Sequence, residues 1–321
     1  MFPGETGWRD SRRGATRRRI EAAALGLFWR LARALPPRQA AAAGASLFRW
    51  VGPRLRQHAF VRSNLAQLFP AAGPARIESL ARGSWGNFGA ILAEYPHLPR
   101  FCAQDPSPFV RAAIAPETRE LVARREPAIY VAAHLANWEL ASAAIARLGI
   151  ALSAVYAPQG NPFVEAMIQA RRAPLGCRFV AKKNCVRRLL GDLAGGRSVG
   201  MLPDQRADAG ELIPFFGRPA QTTISPAWLA LRRGCPLVPV QVERRGPADY
   251  LVTFHAPLVR GERSAQRARV LALTAELNAL FERWIRARPE QWLCMRRRWP
   301  LPAAPGGTRA GARGTELGEC A

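Results

Sequence analysis

Lysine is almost missing from this 321-residue chain. Lys182 and Lys183 are the only two, although Lys and Arg together number 47 against 23 Asp and Glu. Arginine therefore carries nearly all of the formal net charge of +24. Because guanidinium groups bind phosphate and carboxylate oxygens in a bidentate manner, this excess favours a polyanionic partner. Nucleic acid, an anionic membrane and an acidic carrier protein all qualify, and a GC-rich genome that encodes Arg in place of Lys would give the same bias.

Cysteine and histidine are sparse, and neither is arranged for metal binding. The six cysteines show no C-x-x-C spacing and are too few for a disulfide scaffold, so a reducing compartment is the simpler inference. None of the four histidines belongs to an H-E-x-x-H or similar ligand set. We therefore expect no metal site.

The sequence also lacks the run of about 20 apolar residues that a membrane-spanning helix needs. The apolar stretch from Ala22 to Trp29 is bounded by Glu21 and Arg30. Residues 1–19 are Arg-rich and are predicted to be a disordered basic arm, followed by an amphipathic helix over 20–35. This combination is typical of an interfacial membrane anchor, and an ordinary first helix packed on the core is the alternative.

Hydrophobic periodicity divides the remaining chain into two regions and a tail. Residues 20–99 are predicted to be helical, residues 100–300 to alternate strands with helices, and residues 301–321 to be disordered. The alternation is typical of an α/β domain with a mainly parallel mixed sheet and helices on both faces. The predicted strands are Ile129 to Ala133, Ala151 to Tyr156, Arg178 to Ala181, Ser198 to Leu202, Leu237 to Val242 and Leu251 to Phe254. The predicted helices are Trp138 to Leu148, Pro162 to Arg172, Asn184 to Leu193, Ser225 to Arg233 and Arg267 to Ala287.

His134 and Glu139 are the best candidates for chemistry, because a histidine held by a carboxylate can deprotonate an alcohol. Residues five apart on one continuous helix lie about 140° apart, so the pair needs a break in the helix. A strand ending before His134 and a helix capped by Asn137 supply that break. Glu139 would then lie in the first helical turn, where the helix dipole favours its ionised form. The alternative is a structural histidine beside a helix-capping glutamate.

Several motifs in a fixed order resemble one known family. They are Arg62-Ser-Asn-Leu65 with Phe69-Pro70, Asn87-Phe-Gly89 with Glu94, His134-x4-Glu139, Asn161-Pro162, Arg172 four residues before Gly176, Leu202-Pro-Asp-Gln205, Pro214-Phe-Phe-Gly-Arg-Pro219, and Gln291-Trp292 with Arg296-Arg-Arg-Trp299. Together they resemble the bacterial lipid A biosynthesis acyltransferases, the late lauroyl and myristoyl transferases with a glycerolipid acyltransferase-like fold. The resemblance extends from about Arg62 to Trp299.

The resemblance implies transfer of a fatty acyl group from a thioester to a hydroxyl of a Kdo-bearing lipid A precursor. The donor would be acyl carrier protein or coenzyme A, with no other cofactor, and the place would be the cytoplasmic face of the inner membrane. His134 would take the proton of the acceptor hydroxyl, and Glu139 would fix the imidazole tautomer. No covalent acyl-enzyme is required, so no cysteine needs to be a nucleophile.

The remaining site residues are predicted to bind substrate. Arg172 matches the family's arginine after its Asn-Pro motif and is assigned to the substrate or the oxyanion, with a solvent-facing helix position as the alternative. Asp204, at a predicted strand end, would orient the acceptor or Arg172, unless it only caps a turn. Phe215, Phe216 and Arg218 would offer apolar bulk for an acyl chain and a cation for a phosphate, unless their loop packs on its own core. Asn137 is also predicted to bind substrate.

Three other functions fit parts of the sequence. A nucleic-acid-binding protein fits the charge, but the chain has no helix-turn-helix, zinc-finger or RNA-recognition signature and no nucleic-acid partner is expected. A catalytically idle membrane-surface protein would not need the His134 and Glu139 pair. An acyltransferase with another acceptor, such as a lysophospholipid, an ornithine lipid or a mannosylated phosphoinositide, has the same motif.

Overall fold

The computed structural model describes residues 12–103 and 107–299. The first part is helical as predicted. Its helices are α1 (Arg12–Ala34), α2 (Pro37–Val51), α3 (His58–Leu68), α4 (Pro74–Glu94) and α5 (Leu98–Cys102). The first helix begins earlier than the sequence suggests, because residues 12–19, predicted to belong to the disordered arm, are helical. The predictions for residues 1–11 and for the tail at 301–321 lie outside the described residues.

The second part is an α/β domain, which confirms the predicted fold class. Its strands are β1 (Val110–Ile114), β2 (Ile129–Val131), β3 (Leu152–Tyr156), β4 (Arg178–Ala181), β5 (Ser198–Met201), β6 (Glu211–Phe215), β7 (Arg218–Thr222), β8 (Leu237–Gly246) and β9 (Asp249–Phe254). Its helices are α6 (Pro116–Ala123), α7 (Glu139–Arg147), α8 (Pro162–Arg172), α9 (Val186–Ala194), α10 (Ser225–Arg233) and α11 (Arg267–Ala287).

Seven strands form one mixed sheet in the order β1-β9-β8-β2-β5-β3-β4. All neighbours pair in parallel except β8 and β9, which form an antiparallel hairpin. The remaining strands, β6 and β7, form a separate two-stranded antiparallel sheet. Neighbouring parallel strands end at the same edge of a sheet, and that edge is where open α/β sheets bind their ligands.

The central strands are buried on both faces, because helices cover each side of the sheet. In β2, Ile129 and Val131 join the apolar cluster that contains α9, α10 and α11, whereas Tyr130 joins the cluster that contains α7. This alternation follows from the period of two in a β-strand. Because both faces are buried, such strands are nearly continuous apolar runs in the sequence, which is why they were predicted as strands of a parallel sheet.

The N-terminal helices are fastened to one another by close backbone contact. A β-carbon on Gly89 of α4 would lie 2.2 Å from the carbonyl oxygen of Gly44 in α2, so only glycine fits there. Phe28 of α1 meets Phe48 of α2 edge to face, with ring centroids 6.1 Å apart. Within the part of the chain that the structure describes, no helix is both long enough and apolar enough to cross a bilayer.

Candidate active site

His134 lies in the turn between β2 and α7, as the sequence predicts. The chain reverses at Ala136, whose φ of 49° is in the left-handed region that few residues other than glycine adopt. Ala136 is fully buried. Among residues other than glycine, alanine brings the smallest side chain to this strained backbone conformation. The predicted N-cap differs: Trp138 holds the N-cap position of α7, and no side chain caps the helix.

The carboxylate that contacts His134 is that of Asp204, not that of Glu139. Asp204 Oδ1 lies 2.7 Å from His134 Nδ1, and Asp204 Oδ2 accepts the backbone N–H of His134 at 3.0 Å and the indole N–H of Trp292 at 2.8 Å. The side chain of Asp204 is fully buried, whereas that of His134 is 20% exposed. Burial raises the pKa of Asp204, but the attraction of His134 and the three donated hydrogen bonds outweigh it and lower the pKa.

Because a carboxylate with a lowered pKa is ionised at neutral pH, it can only accept hydrogen bonds. Nδ1 of His134 must therefore carry the proton of this contact, so in the neutral imidazole the lone pair is on Nε2. The structure thus corrects the expectation that Glu139 would fix the imidazole tautomer, and gives that position to Asp204. Asp204, which was predicted to orient the acceptor or Arg172, contacts the histidine directly.

Glu139 instead forms a buried ion pair with Arg172. Nε of Arg172 lies 3.1 Å from each Glu139 oxygen, and Nη2 lies 2.5 Å from Oε1. The Tyr95 hydroxyl also donates to Oε1, at 2.8 Å. Burial lowers the pKa of Arg172, but the charge of Glu139 outweighs burial and leaves that pKa raised. The same carboxylate, together with burial, raises the pKa of the Tyr95 phenol. Arg172 also stacks over the rings of Tyr156 and Phe179, so it is not the solvent-facing arginine of the alternative.

The loop that carries His134 is held by a C-terminal segment, residues 291–299, which we call the strap. Leu293 N–H donates to the carbonyl of His134 at 2.9 Å, and Ala136 N–H donates to the carbonyl of Gln291 at 3.0 Å. The side-chain amide of Asn87 binds the carbonyls of both Ala136 and Gln291. Helix α4 and the strap therefore fix the backbone of the histidine loop from two sides.

Asn137 belongs to a buried polar network behind this loop. Its Nδ2 donates to Glu94 Oε2 at 2.9 Å, and Glu94 also accepts from Arg244 and from the hydroxyl of Tyr250. The side-chain oxygen of Asn137 has no hydrogen-bond partner among the described residues. Asn137 is fully buried and does not line the cavity described next, so the geometry favours support of the loop over the predicted contact with substrate.

A cavity of about 930 Å³ lies at the carboxyl ends of β2, β3, β4 and β5, where the sheet rule places a ligand. His134, Glu139 and Arg172 all line it. Apolar side chains form much of its wall, among them Ile91, Leu92, Ile145, Leu152, Val155, Ile168 and Val240. Charged groups line it as well, namely Glu21, Lys182, Arg206, Asp208, Glu211 and Arg296. A mainly apolar pocket with a few convergent polar groups suits an amphipathic ligand.

The aromatic residues of the β6–β7 hairpin do not line this cavity, contrary to the acyl-chain role predicted for them. Phe215 is fully buried and stacks on Trp299, with centroids 5.8 Å apart, and Phe216 contacts both rings. Arg218 donates to the side chain of Gln67 at 2.8 Å and does not line the cavity either. Their geometry is that of a loop packed on its own core, which was the alternative.

Sequence reasoning missed several residues of the site. Trp292 was noticed only as part of a motif, yet it donates to Asp204. Tyr95 and Arg244 carried no signal in the sequence, because their partners Glu139 and Glu94 lie far away along the chain. Among the described residues, no cluster of His, Cys, Asp and Glu is arranged to hold a metal ion.

The fold and site define an α/β enzyme whose cavity is lined by a buried Arg-Glu pair and by a histidine that a buried aspartate contacts. Residues 12–300 match the model of the family described as bacterial lipid A biosynthesis acyltransferase. The chain therefore belongs to this family, and it is an acyltransferase acting on lipid A-like acceptors. No curated protein matches the chain at a significant level.

Proposed function

We propose that the protein transfers a fatty acyl group from acyl carrier protein to a hydroxyl of a lipid A precursor, with His134 as the general base. The observation that supports this most directly is the contact between Asp204 and Nδ1 of His134 at 2.7 Å. It leaves Nε2, on a histidine that lines the cavity, with a lone pair for the acceptor O–H.

The reaction needs two proton transfers, one to and one from His134, and an exchange of bonds at the thioester carbon. Nε2 takes the hydroxyl proton as the acceptor oxygen attacks the carbonyl carbon, and the C–S bond then breaks. The imidazolium returns the proton to the leaving thiolate. Asp204 stabilises the imidazolium in between, as a buried carboxylate does in other His-carboxylate pairs. A positioned base of this kind contributes about 10²–10⁴-fold to the rate.

Arg172 is the group that we assign to the oxyanion or to a phosphate of the substrate. Its guanidinium is held by Glu139 through Nε and Nη2, and it lines the same cavity as His134. A donor fixed before the reaction is worth more than a mobile one, because it does not have to reorganise as charge develops. Glu139 thus acts by orienting Arg172.

The choice of an acyl carrier protein as donor is supported by charge. Lys182, Arg206 and Arg296 line the cavity together with Glu21, Asp208 and Glu211, so the excess of positive charge lies on the chain as a whole, whose net charge is +24. An acidic carrier would be steered to such a surface, and its association rate would fall as salt rises. Coenzyme A carries phosphates and is the alternative donor.

A membrane surface as a further partner is supported by the outer side of α1. Ile20, Leu27 and Leu31 are 63%, 58% and 63% exposed, and their spacing places them on one side of the helix. The opposite side is buried through Trp29 and Ala32. A helix that packs on a soluble core usually has a polar outer side, so an apolar stripe here favours contact with lipid.

The helix that carries the apolar stripe also lines the cavity, and the stripe is flanked by positive charge. Glu21 and Leu25 of α1 line the cavity, as do Val164 and Ile168 of α8. Exposed arginines of the same helix accompany the stripe, namely Arg17, Arg19, Arg30 and Arg33. Arginine stems can cover apolar surface while the guanidinium groups meet lipid phosphates. We place the protein at the cytoplasmic face of the inner membrane, where a lipid acceptor could enter the cavity from the bilayer.

The test is an acyl-transfer assay with purified protein, acyl carrier protein loaded with a labelled acyl chain, and a Kdo-bearing lipid A precursor in detergent. We expect His134→Ala to lose at least about 10²-fold in kcat while keeping its circular dichroism spectrum and melting temperature. A folded His134→Ala protein with wild-type activity would exclude His134 as the base. Lysophospholipid and ornithine lipid in parallel reactions decide the acceptor.

A further inference from the structure

Arg298 is a fully buried cation in the strap, and its hydrogen bonds go to uncharged oxygens. Nε donates to the backbone carbonyl of Asp204 at 2.8 Å, Nη1 to the carbonyl of Gln221 at 2.8 Å and Nη2 to the hydroxyl of Thr222 at 2.7 Å. The guanidinium also lies over the ring of Phe215, 4.7 Å from its centroid. It forms no ion pair within residues 12–103 and 107–299. A buried charge without a counter-charge is costly, so a compensating anion is expected close by.

Asp204 is a buried anion that has no arginine or lysine among its hydrogen-bond donors. Its carboxylate is fully buried, and its hydrogen-bond donors are the backbone and imidazole of His134 and the indole of Trp292. None of these donors is a permanent cation. Arg298 therefore binds the main chain of the same residue whose side chain binds the histidine. The buried guanidinium of Arg298 therefore contacts the backbone of the residue that carries the buried carboxylate.

We propose that Arg298 is a positioning residue that supplies the counter-charge of Asp204 and, through the backbone of Asp204, keeps that carboxylate ionised and in place on His134. This inference rests on the proposed role of His134 as the base. The strap contributes twice to the arrangement, because it provides both Arg298 and Trp292. It thereby couples the C-terminal segment of the described chain to the protonation state of the site.

Removing the charge of Arg298 should shift the pH dependence of the reaction in one direction. Loss of a nearby positive charge raises the pKa of Asp204, so the acid limb of kcat/KM moves to higher pH. Other titratable groups near the pair are Arg206, Arg296 and Cys294, and burial raises the pKa of Cys294 to about 12. The thiol is therefore neutral throughout an assay between about pH 5 and 9.

The first experiment compares pH profiles of kcat/KM for the full chain, Arg298→Gln, Arg298→Lys and the control Arg297→Gln. The control removes the same charge one residue away, from a partly exposed side chain that does not line the cavity. We expect Arg298→Gln to shift the acid limb upward by at least about half a pH unit, Arg298→Lys to return it towards the wild-type position, and Arg297→Gln to leave it unchanged. An acid limb of Arg298→Gln at the wild-type pH would overturn the proposal.

The second experiment is a cycle of thermal unfolding that does not depend on activity. Asp204→Asn and Arg298→Gln each leave one buried charge uncompensated, whereas the double variant removes both. We expect the double variant to melt higher than the less stable single variant, or to be recovered folded where Arg298→Gln is not. A double variant that is no more stable than the worse single one would refute the pairing. Equal activity of His134→Ala, by contrast, would count against the proposed function and leave this cycle unaffected.

Discussion

Oδ1 of Asp204 lies 2.7 Å from Nδ1 of His134, although the two residues are 70 positions apart in the chain. The pairing of β2 with β5 explains this proximity. Val131 is in register with Met201, and His134 and Asp204 each follow these residues by three positions. Two parallel strands in register deliver their following residues to the same place at the edge of the sheet. The His-Asp contact is therefore a product of strand order.

Asp204→Asn should reduce kcat about 10²–10⁴-fold, because an amide at this position can no longer stabilise the imidazolium and can favour the wrong tautomer. KM for the acceptor should change little, since Asp204 does not line the cavity. Steady-state acyl transfer at pH 7.5 measures both constants. A rise in KM at constant kcat would indicate that Asp204 contacts substrate instead.

The stabilising effect of Asp204 should depend on pH. Its pKa in the folded protein is lowered, so its contribution is complete above the ordinary aspartate pKa of about 3.9 and is lost as the pH falls through the folded-state pKa. Urea unfolding of the wild type and of Asp204→Asn between about pH 3 and 7 measures the difference in free energy of unfolding. We expect the difference to narrow as the pH falls below about 4. A pH-independent difference would contradict the lowered pKa.

Glu139 and Arg172 should behave as a coupled buried pair in stability measurements. Their side chains are 3% and 11% exposed, and removing one partner of such a pair costs about 3–5 kcal/mol of unfolding free energy. Glu139→Gln and Arg172→Met should each be destabilised by an amount of this order, and the double variant by clearly less than their sum. Additive losses in urea unfolding would show that the two charges are independent.

The outer side of α1 should mediate membrane binding. Leu27→Glu with Leu31→Glu places two charges on the apolar stripe and should weaken binding to vesicles of phosphatidylethanolamine and phosphatidylglycerol by roughly tenfold or more. Leu212→Glu is a matched control, because Leu212 is 52% exposed but lies on the β6–β7 hairpin. Co-sedimentation measures the binding. Acyl transfer in detergent should be unchanged in both variants, and equal vesicle binding by both would exclude this face as the docking surface.

The contact between α2 and α4 should depend on glycine. Gly89→Ala would place a β-carbon 2.2 Å from the carbonyl of Gly44, and the helices would have to separate. We expect a loss of about 1–3 kcal/mol in unfolding free energy. Gly191→Ala in α9 meets no atom within 4 Å and should instead stabilise the protein by up to about 1 kcal/mol. Thermal unfolding of the two variants should therefore shift in opposite directions.

Strongly periodic segments were predictable and weakly patterned ones were not. The bounds of β4, α8, α10 and α11 agree with the sequence prediction. The edge strand β1 was missed because three of its five residues are exposed, which leaves no alternation to recognise. The strands β6 and β7 contain Pro214 and Pro219, residues that argue against a strand in sequence reasoning.

The sequence by itself determined that this chain has an α/β domain behind a helical region, that His134 follows a buried strand, and that Arg172 ends a helix that begins at Pro162. These features depend on local periodicity and capping, which neighbouring residues encode. Only the tertiary structure decided which carboxylate contacts His134 and which contacts Arg172. Glu139 is close to His134 in the chain but pairs with Arg172, and Asp204 reaches His134 because β2 and β5 are neighbours. Strand order depends on long-range packing, which no short stretch of sequence contains.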